Sequence, residues 1–207
     1  MTEFRGKKRI ISKHDVSEGH HSIVISYPEV GIVLKIFRED LKQNATREFN
    51  YLSSLYGKGY PVPKPYAIFF AKYPVLVREY IAGIHFNEFL DKATLLQIKE
   101  VIMRLLSVLH GLDKEKLFID ELSFPTRNII VDNKLNVYLI DLERISVSER
   151  RCNVTQFLGF IYRTKFMETE LREKIDMIID VEKVMEVSKQ YKKTKDLNLI
   201  LQIFKEI

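Results

Sequence analysis

Cysteine is nearly absent, with Cys152 alone among 207 residues. One thiol excludes an internal disulfide framework and any zinc site built on cysteines, and it fits a reducing, intracellular compartment. Long hydrophobic runs are also lacking. No stretch approaches the roughly 18 apolar residues that cross a bilayer, and the segment from Met1 to Arg9 holds no apolar signal-peptide core. The expectation is a cytoplasmic chain with no membrane segment. Internal repeats and low-complexity tracts are missing, which removes solenoids and disordered arrays. A strong charge of one sign is missing as well: 33 lysines and arginines against 28 aspartates and glutamates leave +5. That modest field permits contact with nucleic acid or acidic partners without requiring it. The lysines gather only near the ends, at Gly6-Lys7-Lys8-Arg9 and Tyr191-Lys192-Lys193-Thr194-Lys195.

What is present is an ordinary globular composition, 46% apolar and 29% charged. A chain this long buries about 70% of its unfolded surface, in one compact domain or two small lobes. The first 37 residues read as strands: Arg9–Ser12, Ser22–Tyr27 and Gly31–Phe37 are rich in β-branched residues. Val16–Ser22 reads as a turn-forming stretch and Tyr27–Gly31 as a hairpin turn. Leu41, Ala45, Phe49, Leu52 and Leu55 follow helical spacing, with Asp40 and Gln43 as the expected cap and Gly57-Lys58-Gly59 as the stop. Pro61, Pro63 and Pro65 force an extended segment, and a strand pair follows at 66–70 and 74–80. Beyond Ile81-Ala82-Gly83 helices dominate. Thr94 and Gln97 form a capping box ahead of the stripe Leu95, Ile98, Ile102, Leu105 and Leu109. Two short strands, 128–131 and 137–140, are split by a turn, and helices are expected at 153–163, 168–191 and 197–206. The expected fold class is α+β and bilobal, with residues 1–82 as sheet, one helix and hinge, and 83–207 as a reduced helical lobe.

Four side chains stand in a meaningful order. Lys35 lies inside the apolar strand Val33-Leu34-Lys35-Ile36, where a charge needs a partner, and Glu48 on the following helix offers one. Asn128 precedes one short apolar strand and Asp141 follows the next, so two oxygen ligands meet at one edge of a hairpin. Such ligands suit Mg²⁺, which keeps several waters and takes few protein groups.

The order of Lys35, Glu48, Asn128 and Asp141 resembles that of the protein-kinase-like fold, over about residues 9 to 160. With Asp-Leu-Glu for Asp-Phe-Gly, no Ala-Pro-Glu segment and a short helical lobe, the chain is most similar to the small atypical RIO-type and related archaeal kinases. The run Asn153-Val154-Thr155-Gln156-Phe157-Leu158 likewise resembles the helix after their metal aspartate. The resemblance implies an Mg²⁺-dependent serine/threonine kinase that transfers the γ-phosphate of ATP to itself and to a partner protein. Lys35 would hold the α/β-phosphates, oriented by Glu48, while Asn128 and Asp141 would bind Mg²⁺. Gly19, His20 and Ser22 would line the phosphate loop. Glu79, Tyr80 and Ile81 would offer hinge backbone groups to adenine.

Two departures stand out. The phosphate loop has one glycine, Gly19, where kinases usually hold three. The position five residues before Asn128, where the family holds its basic aspartate, is Ser123, which is no general base at neutral pH. With a two-residue insertion Glu121 takes that place, and Asp120 is an adjacent second candidate. Three other readings stay open: a small-molecule phosphotransferase, although only 66 residues follow Asp141; a pseudokinase scaffold; and a basic nucleic-acid-binding module.

Overall fold

In the computed structural model, which describes residues 15–18, 21–123, 125–126, 128–166 and 169–206, the β-branched runs of the first third form one antiparallel sheet. Its strands are β1 (Asp15–Glu18), β2 (Ser22–Tyr27), β3 (Ile32–Phe37), β4 (Pro65–Phe70) and β5 (Pro74–Glu79), in the order β1-β2-β3-β5-β4. The β2–β3 turn closes on Gly31, whose φ of +74° suits a residue without Cβ and whose N–H donates to Tyr27 O at 3.0 Å. Part of the stretch expected to be a turn is strand instead: Val16, Ser17 and Glu18 register with Ile25, Val24 and Ile23. The strand expected at 9–12 lies outside the described residues.

Along β3 the burial alternates, and Val33, Lys35 and Phe37 are the inward side chains. Helix α1 (Lys42–Gly57) turns Ala45, Glu48, Leu52 and Leu55 inward at helical spacing. Its start differs from the expected Asp40/Gln43 cap. A 3₁₀ turn, Glu39–Leu41, leads in and no side chain caps the helix, because that turn already passes the chain into helical geometry. Its end follows the glycine reading. Gly59 (φ +79°) donates to Tyr56 O at 3.0 Å while Tyr60 N–H reaches Leu55 O at 3.0 Å, the paired bonds of a Schellman stop. The proline segment then straps the sheet to the rest of the chain, with Leu139 N–H donating to Pro61 O at 3.0 Å.

After the hinge come β6 (Ile84–His85), α2 (Phe86–Lys92) and α3 (Leu95–Lys114), the last opened by the full Thr94/Gln97 capping box. Strands β8 (Ile129–Val131) and β9 (Val137–Leu139) pair in a three-stranded sheet ordered β6-β8-β9, and β7 (Leu117–Ile119) pairs with β10 (Ile145–Val147). Gly83 lies so close to this hairpin that a Cβ there would stand 2.4 Å from Val131 O and 2.6 Å from Ile130 Cγ2. Helix α4 (Asn153–Thr164) is held by the buried Asp113, which accepts from the Asn153 backbone N–H at 2.6 Å, from Asn153 Nδ2 at 2.9 Å and from the Tyr191 hydroxyl at 3.0 Å. His110 lies within α3, with Nδ1 2.8 Å from that same hydroxyl.

The single helix expected over 168–191 is two, α5 (Glu170–Ile178) and α6 (Val184–Thr194). Between them Ile179 bridges to Phe204, and Asp180 N–H donates to Ile203 O at 2.7 Å, so the backbone there bonds a neighbouring segment in place of its own helix. The last expected helix shrinks to α7 (Asn198–Leu201). One core runs through both parts, from Leu52 and Leu76 to Ile102, Phe157 and Tyr191. The architecture is α+β and bilobal: an antiparallel sheet with one helix, then a mostly helical part. Among the described residues no helix is long and apolar enough to cross a membrane.

Candidate active site

Between the inner face of the five-stranded sheet and the β8–β9 hairpin lies a cleft of about 710 Å³. Lys35 enters it from β3. Its Nζ donates to Glu48 Oε2 at 2.7 Å and to Asp141 Oδ1 at 3.0 Å, lies 3.7 Å from Glu143 Oε2, and sits 5.0 Å above the Phe37 ring. Lys35 and Glu48 are both buried. The neighbouring elements β3 and α1 thus meet the segment after β9, 106 positions beyond Lys35, on one ammonium group.

Electrostatics follows from this packing. Burial alone would lower the Lys35 pKa, but the Glu48 and Asp141 carboxylates outweigh it and hold the ammonium charged well above its ordinary range. Burial pushes the Glu48 carboxyl up to about 7 against the pull of Lys35. At Asp141 burial also acts upward, yet the Lys35 charge and hydrogen bond and the Glu143 N–H carry the group below its usual range.

Asn128 and Asp141 come together as the hairpin places them. Ile140 N–H donates to Asn128 O at 3.0 Å, and both side chains line the cleft. Glu48, Asp141 and Glu143 offer carboxylate oxygens within 4.8 Å of one another. This donor set is all oxygen and fits a hard divalent cation, and Asn128 lines the same cleft. Glu48 and Asp141 both bond Lys35, but Glu48 is fully buried whereas the Asp141 side chain is 34% exposed, so Asp141 with Asn128 could hold Mg²⁺.

The other expected residues separate. Ser22, Tyr80 and Ile81 line the cleft. Glu79 does not: its carboxylate accepts from Lys64 N–H at 3.0 Å and its own N–H donates to Lys64 O at 2.8 Å, because strand alternation puts it on the opposite face from Arg78. Gly19 and His20 lie outside the described residues. Asp120 and Glu121 fall in a 3₁₀ turn, Asp120–Ser123. The Asp120 carboxylate is engaged by Arg151, the Ser123 carbonyl accepts from Arg163, and the Glu121 side chain lies outside what is described.

Two residues at the site escaped the sequence reading. Glu143 accepts from His21 Nδ1 at 2.8 Å and Asn44 Nδ2 at 3.1 Å, tying the segment after β9 to both the sheet and α1. Arg78 on β5 is buried and lines the cleft. Its only sequence signal is a charge at an inward position of the run Val75-Leu76-Val77-Arg78, and apolar neighbours on both faces hide that alternation.

A family model described as RIO domain matches residues 34–159, a span that holds Lys35, Glu48, Asn128 and Asp141. No curated protein matches the chain.

Proposed function

The chain belongs to the RIO-domain family, an atypical protein-kinase-like family, and from that membership we propose that it is a phosphotransferase moving the γ-phosphate of a purine nucleoside triphosphate, with ATP the sequence expectation, to a serine or threonine hydroxyl of itself and of a partner protein. The observation that carries this reading is Lys35 held between Glu48 and Asp141 at the mouth of the β8–β9 hairpin.

Phosphoryl transfer has a loose, charged transition state, so the protein contributes mainly positioning and fixed charge. Lys35 meets the α/β-phosphates as a point charge, and Glu48 fixes its direction. Asp141 and Asn128 would hold Mg²⁺, which when bound would supply positive charge against the triphosphate. The acceptor hydroxyl oxygen forms a bond to the γ-phosphorus as the bond to the bridging oxygen breaks, the nucleoside diphosphate leaves, and the hydroxyl proton passes to a carboxylate base. Glu121 is the proposed base, with Asp120 second because Arg151 already occupies its carboxylate. Nucleic-acid contact is left to the salt dependence of binding.

The occupation of Asp120, and Ser123 at the position of the usual base, favour one second reading, a nucleotide-binding scaffold without turnover. Transfer of label from γ-labelled nucleotide separates the two. Label on the protein in the presence of Mg²⁺ supports the kinase, whereas nucleotide-dependent stabilisation without label supports the scaffold.

A further inference from the structure

Among the described residues Arg78 is a buried cation without a hydrogen-bonded partner. It is 6% exposed, its Nε is buried without a hydrogen-bond partner, and no hydrogen bond or ion pair joins its guanidinium to another described residue. Glu48 and Asp141 act on it only through space. Arginine keeps its charge in proteins and presents five N–H donors with no acceptor, so a buried, unpaired guanidinium is costly unless a ligand completes it.

Its place in the sheet says which part of a ligand it meets. Lys35 registers with Leu76, and Val33 registers with Arg78. Arg78 therefore lies two residues along β5 from the Lys35 level, about 6 to 7 Å toward the hinge at the ordinary strand rise. The next cleft-lining residues are Tyr80 and Ile81, and Tyr80 N–H donates to Gly31 O at 2.9 Å, fixing the hinge against β3. By register Arg78 sits on the hinge side of Lys35, within electrostatic reach of Glu48 and Asp141.

We infer that Arg78 reads the acceptor edge of the bound purine, so that the cleft takes a guanine-type base in preference to adenine. This rests on the nucleotide-binding reading above and narrows it. A guanidinium fork pairs both its donors with the O6 and N7 acceptors of guanine, whereas adenine presents N7 beside an amino donor that opposes the fork. An arginine–guanine pair of this kind discriminates by about 1–3 kcal/mol, or roughly 5- to 150-fold in Kd.

The test measures Kd for GDP, IDP and ADP by calorimetry with Mg²⁺, on the full chain and on Arg78→Met and Arg78→Lys. IDP carries O6 and N7 but lacks the 2-amino group, so it isolates the edge assigned to Arg78. The expected result is GDP and IDP both binding roughly 5- to 150-fold tighter than ADP, with both variants bringing the ratios toward one while ADP binding persists. The wild-type series decides the matter even if a variant fails to fold. ADP binding as tightly as GDP, or IDP behaving like ADP, overturns the inference and leaves nucleotide binding standing. Binding of none of the three overturns the inference and the nucleotide reading together.

Discussion

Lys35 Nζ stands 2.7 Å from Glu48 Oε2 and 3.0 Å from Asp141 Oδ1, so one buried ammonium couples the sheet, helix α1 and the segment that follows the β8–β9 hairpin. Removing either end of a buried pair leaves the other uncompensated, at a cost of about 3–5 kcal/mol. Lys35→Ala is expected to lower stability by that order and to weaken nucleotide binding. The double variant Lys35→Met/Glu48→Leu should recover much of the stability and none of the phosphate transfer. Urea unfolding midpoints for the four proteins of the cycle measure the coupling, and near-additive losses would count against it.

Glu48 sets a pH dependence of stability. Its folded pKa, pushed up to about 7 by burial from an ordinary 4.5, means the native state binds more protons than the unfolded chain between those values. The slope of stability with pH is then negative for this group: its contribution is full below about 4.5 and is lost as pH rises through about 7. Wild-type stability relative to Glu48→Gln should fall across that window. A difference flat with pH would contradict the assignment.

The base can be located by rate. Glu121→Gln is expected to cut phosphate transfer by roughly 10² to 10⁴, the usual worth of a general base, with nucleotide affinity unchanged, and Asp120→Asn should have a much smaller effect. A loss confined to Asp120→Asn would move the base to that residue.

Gly83 tests how the hinge is seated. A methyl group there would collide with Val131 O and Ile130 Cγ2, and overpacking of this kind costs about 1–3 kcal/mol. Because β8 is the strand that Asn128 precedes, Gly83→Ala should also reduce Mg²⁺-dependent nucleotide binding. Gly57→Ala, with no atom near the added carbon, is the control.

Much of the fold was legible where residue patterns have a single period. The β2 and β3 strands, the α1 stripe Ala45-Glu48-Leu52-Leu55 and the Thr94/Gln97 box all follow local spacing. The break at 179–183 was not, because no glycine or proline marks it; a tertiary bridge from Ile179 to Phe204 takes the backbone bonds. Strands β7 and β10, three residues each, are too short for a periodic signal, and residues 15–18 form a strand by pairing with β2 despite turn-like composition. At the site, Lys35, Glu48 and Asp141 were readable from their order in the chain. Glu143 was hidden because its partners His21 and Asn44 lie about 100 or more positions away, and Arg78 because apolar residues occupy both faces of its strand.

The most direct measurement incubates purified protein with Mg²⁺ and either γ-labelled ATP or γ-labelled GTP, comparing wild type with Asp141→Ala. Label on the wild-type protein from at least one nucleotide, abolished by Asp141→Ala and by chelation of the metal, is the expected result. Equal labelling of Asp141→Ala, or no label from either nucleotide on a wild-type protein that binds them, would contradict the assignment of a metal-dependent phosphotransferase.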